Sequence, residues 1–497
     1  MLNAELDRLG ITEATFDMIK AQTSGLLYAT NIAGVDLGPL VSLVPIRTPF
    51  RNSTARVSPD QGATYAYWRA LLNVNSQQPN PAVGNDYGAS ALTVFDEVDV
   101  AAPYVPLRGT VRITEDAIDI AQGYANAVGL ATIQAVNQLM IGEDRQGLMG
   151  QAYALPAISN TITCSTATTG GTIADSQAVY VKVAARSGYN YYYGGSGAFG
   201  TRGTVTAGST GSNANAVTAS VAAVKGAVAY DWYICATTGG VYYYYTTTTV
   251  NTVTITSVQF TTDQALPALP DLSSVAPIHP GPVGDTSYSA NNMNGLLPSA
   301  LGDYGSSLFL VTPGSGTNSG AYWASLDGSA LSLSGAAEAH IDAMNASIWA
   351  TAKVSPTRYL VNSTISASVA NLILGSTMAT TFLQPNDIAQ RQNVVAGGAL
   401  GWYLNKSVAG AAIKVEVHVN VPPGTLIAVC DNIDYPGANL DVPFRYRVQR
   451  DYTRFDYGAN WVPSSLGGGP RQDIGFTVRE TFENRAAPTQ GVLSNIF

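Results

Sequence analysis

With 497 residues the chain is long enough for several domains, each with a core of its own. Only 12% of the residues are charged, against about 25% in ordinary soluble domains, and the mean hydropathy is +0.09, so a soluble chain of this kind is expected to hide much surface against other subunits. A formal net charge of −9 excludes a protein that grips nucleic acid through a broad basic face, and no apolar run reaches the roughly 20 residues of a membrane span.

The opening MLNAELDRLGITEATF has neither a basic start nor an apolar core, so it does not read as a secretory signal. Residues 1–50 read as an arm: a short helix around Thr12–Ala21, then Gly-, Pro- and Thr-rich extended chain. Phe16 and Ile19 are too few to build a core, so the arm must lie on something else. Ala63–Val74 and Ala91–Val100 are rich in β-branched and aromatic residues and flank a polar Pro/Gly/Asn stretch at Asn75–Gly88. They predict a long hairpin, and an isolated hairpin is marginal in water. A return strand at Tyr104–Ile113 then leads into a helix.

That helix is predicted over Thr114–Gly142. Ile118, Ala121, Ala125, Val128, Thr132, Ala135 and Leu139 alternate spacings of three and four, which sets them on one stripe. Thr114 can cap its start, Glu115 and Asp116 suit the dipole there, and Gly142 or Gly147 can end it. At about 1.5 Å per residue the helix is roughly 40 Å long.

From about Pro156 to Leu266 the sequence becomes Thr, Gly, Ser, Ala, Val and Tyr with almost no charge. Short strands are predicted at Ala178–Ala184, Gly203–Ala207, Ala216–Val221, Val228–Cys235, Val241–Thr247 and Thr252–Ser257, the pattern of an all-β sandwich. Its position after a hairpin and a long helix marks it as one domain inserted into another. A Pro/Gly/Asn-rich connector over 270–300 leads to mixed α/β sequence. Strands are predicted at Ser307–Val311 and Arg358–Val361, and helices at Ser334–Thr351 (Ala337, Ile341, Met344 and Ile348 on one face) and Thr364–Leu374. Over Lys414–Val421, Val415, Val417, Val419 and Val421 alternate inward, with Glu416, His418 and Asn420 outward. Thr425–Cys430, Ile474–Phe482 and Gly491–Ile496 supply the last apolar segments.

Catalytic motifs are sparse. GSGAFG at Gly195–Gly200 matches GxGxxG but has no helix after it and no acidic residue at the distance a dinucleotide site needs. His279, His340 and His418 have no acidic or histidine neighbour at ligand spacing, so neither a metal nor a cofactor is expected. Cys164, Cys235 and Cys430 form no CxxC and read as free buried thiols. Arg445, Arg447, Arg450 and Arg454 form the one basic cluster, with aromatics interleaved in a manner that could suit nucleic acid. Asp451 and Asp456 among them favour ion pairing, local or between subunits. Asp96, Glu97 and Asp99 on the hairpin are natural partners for arginines of a neighbour, which makes these seven residues the candidate subunit interface.

Arm, hairpin, long helix, α/β lobe and closing strand together resemble the major capsid protein of tailed phages with the Hong Kong 97 fold. The closing segment DIGFTVRETFENRAAPTQGVLSN at Asp473–Asn495 is similar to the C-terminal peripheral strand of actinobacteriophage members. The resemblance implies an α+β fold with an N-arm (1–50), an E-loop (51–111), and a peripheral domain with its spine helix (112–155). It continues through a connector (267–300), an axial domain (301–469) and a closing strand and tail (470–497). Residues 156–266 lie outside the pattern and resemble an immunoglobulin or fibronectin type III-like insertion, on VYVKVAAR and GAVAYDWYI.

The resemblance implies a mechanical, non-enzymatic function: hexamers and pentamers closing an icosahedral virion shell around packaged double-stranded DNA, assembled in the host cytoplasm with no membrane. It also implies a portal protein, scaffolding that is either separate or already removed, and room for a decoration protein. Some members cross-link an E-loop lysine to a neighbour's asparagine, but no lysine lies in 51–111 here. The alternative is a secreted surface-layer or adhesin-like protein with an immunoglobulin-like module. Tyr189, Tyr191, Tyr192, Tyr193, Tyr242 and Tyr243 of the insertion are either an outer binding surface, for a neighbour or a host glycan, or ordinary packing residues.

Overall fold

The computed structural model describes residues 47–58, 64–76, 93–114, 118, 127–158, 162–209, 211, 213–236, 242–258, 285–289, 291–303, 312–313, 320–329, 337–374, 402–405, 407–408, 411–433, 442–462 and 469–497. The short helix expected at Thr12–Ala21, the hairpin tip and the strand expected at Ser307–Val311 lie outside them. By its contacts the chain forms two units. One comprises Met1–Arg47, Pro106–Ile141 and Arg450–Val478, the other Thr48–Val105, Gly142–Gln449 and Arg479–Phe497.

In chain order, a one-turn helix at Pro49–Ser53 precedes β1 (Arg56–Val57), the hairpin strands β2 (Tyr65–Ser76) and β3 (Thr93–Pro103), and β4 (Val105–Thr114). The long helix is described over Ala127–Met149. Next are β5 (Thr163–Ala167), β6 (Ala178–Ser187), a tyrosine-rich helix at Gly188–Tyr193, β7 (Gly203–Thr206), β8 (Ala216–Ser220), β9 (Ala227–Cys235), β10 (Tyr243–Thr248) and β11 (Thr252–Ile255). After a short helix at Leu296–Leu301 come β12 (Gly302–Asp303), β13 (Thr312–Pro313) and β14 (Tyr322–Ser325). The chain continues with a helix at Ala337–Ala352, β15 (Arg358–Val361), a helix at Ser363–Leu374, β16 (Trp402–Asn405), β17 (Ala411–Val417) and β18 (Leu426–Val429). It ends with the long strands β19 (Phe444–Val462) and β20 (Gly469–Asn484) and with β21 (Gly491–Ser494).

The first unit holds most of β4, the first part of the long helix, and β19 from Arg450 with β20 up to Val478. Arg112 of β4 grips Asp473 of β20 with two bonds of 2.9 and 3.2 Å. Ala135 and Leu139 of the predicted stripe are buried, and Gly109 of β4 comes close to both, so strand and helix pack directly. Leu130 and Ile133 on the same helix are exposed.

The long helix does not stop at Gly142 or Gly147. It runs to Met149, and Gly147 serves packing: a Cβ there would collide with the Tyr446 hydroxyl. Thr114 is the last residue of β4, and the start of the helix lies outside the described residues.

In the second unit two sheets, β10-β9-β6-β7 and β11-β8-β5, share one hydrophobic cluster. Val179, Val181, Val183, Tyr230, Trp232 and Ile234 from the larger sheet meet Val217, Ala219, Val253 and Ile255 from the smaller. Alternation of β-branched and small residues gives each strand one apolar face, and Gly and Asn supply the turns. The chain enters and leaves this region side by side, with Ser289 N–H donating to Gln151 O (3.0 Å) and Gly295 N–H to Gly150 O (2.8 Å).

A six-stranded mixed sheet, β14-β21-β18-β15-β17-β16, forms the α/β lobe. Ile341, Met344 and Ile348 of the Ala337–Ala352 helix, with Ile365 and Val369 of the next, pack on Tyr359, Val361, Ile413 and Leu426. β21, in the tail after the closing strand, lies inside this sheet, parallel to β14 and antiparallel to β18. One expectation is corrected here. Of the valines expected inward over 415–421, Val415 and Val421 are buried and the two between them are not. β17 ends at Val417, the chain turns, and Val417 and Val419 point to solvent while His418 and Asn420 are buried.

Candidate functional site

The hairpin of β2 and β3 is the candidate contact element. Among the described residues β2 and β3 pair only with each other, in register from Tyr65↔Pro103 to Ser76↔Thr93 with a bulge between Leu71 and Asn73. Its root is anchored: Ala66, Val100 and Ala101 are buried, and a small cleft there is lined by Trp68, Pro103, Tyr153, Met293 and Phe482. On the other face of the root Tyr65 and Tyr67 are exposed, Tyr67 to 57%. Arg69 and Asp99 face each other across the strands, 2.7 Å apart and solvent-exposed. Asp96 and Glu97 lie on β3, with side chains outside the described part.

The arginine cluster is engaged locally. Arg445 and Arg447, two residues apart on β19 and so on one face, converge with Arg485 on the buried carboxylate of Glu483, at 2.8, 3.7 and 3.7 Å. Arg450 lies 5.5 Å over the Phe455 ring, and Arg454 pairs with Asp456 at 2.7 Å. Of the local and inter-subunit partners left open by the sequence, the chain itself supplies the local ones. Arg450 and Arg454 are both exposed.

The tyrosines divide. Tyr189, Tyr191, Tyr192 and Tyr193 lie on a helix, not a strand, capped by the Ser187 side chain accepting from Asn190 N–H and closed at Gly194 (φ +80°). Tyr193 is exposed and stacks near Tyr189 with centroids 4.8 Å apart. Tyr192 packs under Arg145 (5.5 Å) and donates to Val419 O at 3.3 Å; burial pushes its phenol well up. Tyr242 is only 2% exposed, the packing side of the two readings. It covers Lys182 Nζ at 4.8 Å, because a buried ammonium on β6 needs an aromatic face over it. Tyr243 is half-buried.

Sequence reasoning missed a buried polar junction at the end of the long helix. Glu143 and Asp144 are both fully buried. Glu143 takes Arg51 Nε at 2.7 Å and Arg56 Nη1, and Arg56 reaches on to Glu480 at 3.2 Å. Asp144 accepts from the Arg51 backbone N–H (2.9 Å) and from Asn420 Nδ2 (2.6 Å), and lies 3.5 Å from His418 Nε2. Beside it Phe50, Phe444, Tyr446 and Phe482 form an aromatic cluster with centroids 5.6 to 6.5 Å apart. Pairs of this kind add about 0.5–1.5 kcal/mol each beyond area burial. The one available signal was two acidic residues near a helix C-terminus, where the dipole disfavours them, so that they need dedicated partners.

Among the described residues no group of three or more His, Cys, Asp or Glu could hold a metal, and no helix is long and apolar enough to cross a membrane. The three cysteines are free, and burial pushes the Cys164 thiol up to about 11, away from nucleophilic character.

No protein-family model matches the sequence, and no curated protein matches it. Solved structures similar to it include the capsid of Myoviridae Phage XM1, at 10% identity and TM-score 0.40, covering 95% of this chain and 100% of that one. The cyanophage A-1(L) capsid asymmetric unit is similar at 10% identity and TM-score 0.43, over 94% of this chain and 99% of that one. Mycobacterium phage Bobi is similar at 9% identity and TM-score 0.37, over 94% and 97%. At these TM-scores the likeness is loose and carries no weight for function.

Proposed function

We propose that the chain is the building block of a closed protein shell: a major capsid protein of the Hong Kong 97-like class, assembling through hexamers and pentamers into an icosahedral head around phage DNA. The observation that carries this reading is the hairpin. Strands of 12 and 11 residues that pair only with each other among the described residues do not stabilise themselves in water. Their exposed tyrosines suit a surface waiting for a neighbour. The low charge of the whole chain and the exposed Leu130 and Ile133 fit the same need for subunit contacts. On this reading Asp96, Glu97, Asp99, Arg450 and Arg454 contribute to subunit contacts, and Arg445 and Arg447 hold the strand that presents them.

The two-sheet region is proposed to be the immunoglobulin-like insertion, lying on the outer side of the shell with Tyr193 and Tyr243 as its contact residues. The test is negative-stain microscopy of the purified chain. Polyhedral shells or capsomer rings support the proposal, and a stable dispersed monomer overturns it. Shell cohesion is further expected to be free of E-loop isopeptide bonds, since residues 51–111 hold no lysine. Denaturing gels of particles are then expected to show one band at the 51.9 kDa of the chain. A ladder of linked oligomers contradicts that.

A further inference from the structure

His418 sits at the turn after β17, fully inside the buried junction of Glu143 and Asp144. Its Nδ1 accepts the backbone N–H of Asn420 at 3.0 Å. A ring nitrogen that accepts cannot carry a proton, so the neutral imidazole holds its hydrogen on Nε2, facing Asp144 Oδ2 at 3.5 Å. The same turn is fixed by the Asn420 side chain, which donates to Asp144 (2.6 Å) and accepts from Arg145 Nε (3.3 Å). On its other side Val419 O accepts from Tyr192. One turn of five residues thus ties together the lobe sheet, the end of the long helix and the tyrosine helix.

We propose that His418 is an acid-released latch: protonation must occur at Nδ1, where it sets two N–H donors face to face and forces the 417–421 turn off Asp144. Each charged group around the ring takes a definite side. Asp144 on the long helix favours the imidazolium. Arg358 on β15 opposes it, and is itself tied to Glu416 of β17 (3.5 Å) and to Asp431 (2.9 Å). The Arg51 guanidinium is taken by Glu143, the neighbour of Asp144 on the helix, and Arg145 Nε by Asn420. Burial dominates, and with Arg358 it outweighs Asp144, so His418 titrates below its ordinary value of 6.5. The unfolded chain therefore binds the proton first. Stability from this residue is complete above the ordinary value and is lost as pH falls from there toward the lowered one.

Hydrogen exchange of the full-length chain, corrected for intrinsic rates, tests the latch. Between about pH 7.5 and about pH 5 the peptide over 414–424 is expected to exchange roughly tenfold faster, while the β9 peptide over 227–235 stays protected. In His418→Asn the side-chain oxygen takes the place of Nδ1 as a non-titrating acceptor, and the acceleration is expected to vanish. The same acceleration in His418→Asn overturns the proposal. So does a wild-type turn that stays closed across this range, or that opens only together with β9, and these two wild-type outcomes decide the matter even if the variant misfolds.

Discussion

The two-sheet region over 155–258 and the hairpin over 65–103 are both β structure, yet they solve opposite problems. The first closes two sheets on a cluster in which Val179, Val181, Val183, Trp232 and Ile234 see no solvent. The second leaves Tyr65 and Tyr67 exposed on its first strand. Strand propensity is similar in both, so the difference lies in whether the chain supplies a second layer. Where it does, stability is internal and independent of concentration. Among the described residues no such layer lies over Tyr65 and Tyr67, and on the proposed function it comes from another molecule.

The largest expected effect lies on the internal side of this contrast. Trp232 is fully buried between the sheets, and its indole N–H donates to Thr248 Oγ1 at 2.7 Å. Trp232→Ala removes the largest side chain of the cluster and leaves a cavity, at a cost of about 3–5 kcal/mol. Calorimetry of the full chain is expected to show the lowest transition moving down by many degrees. An unchanged thermogram means that the two sheets do not share a core.

Gly147→Ala tests a different seam, with an intermediate effect. The added methyl meets the Tyr446 hydroxyl on a side chain that is itself fully buried, so neither can step aside freely. Overpacking of this kind costs about 1–3 kcal/mol. Urea unfolding is expected to show a lower midpoint at unchanged slope. Gly142→Ala, where nothing lies within 4 Å of the new methyl, serves as the control. It is expected to be neutral or slightly stabilising, since Ala favours the helix.

These seams also mark how far the sequence could be read. The strands of the two-sheet region were legible because Val, Tyr and Thr alternate between glycines and asparagines, and Arg358–Val361 was legible as a short apolar run. Local pattern failed wherever a distant partner decides orientation. His418 and Asn420 looked like the polar, outward half of an alternating strand. They turn inward because Asp144, on a helix far earlier in the chain, offers a buried carboxylate, and the valines beside them are left outside. Gly147 looked like a helix end because nothing local announces that Tyr446 will come down on it. Tyr242 stayed undecided between surface and packing because the buried Lys182 beneath it reads, in sequence, as an ordinary exposed lysine.

The smallest effect on the isolated chain belongs to the hairpin, and it discriminates most sharply between internal and borrowed stability. Arg69 and Asp99 form an exposed cross-strand pair worth about 0–1 kcal/mol, and Tyr67 is more than half in solvent. Tyr67→Ser and Arg69→Ala are therefore expected to leave the unfolding midpoint of the dispersed subunit within about 0.5 kcal/mol of wild type. If a neighbour supplies the second layer, the same substitutions remove aromatic area and a charge from that contact. Assembly, monitored by light scattering against subunit concentration, is then expected to need a several-fold higher concentration, since each 1.4 kcal/mol lost from a contact is about a tenfold change in its equilibrium constant. Unchanged assembly with an unchanged midpoint means that this face of the hairpin touches nothing. A large drop in the midpoint means that the chain covers the hairpin itself, and the contrast with the two-sheet region dissolves.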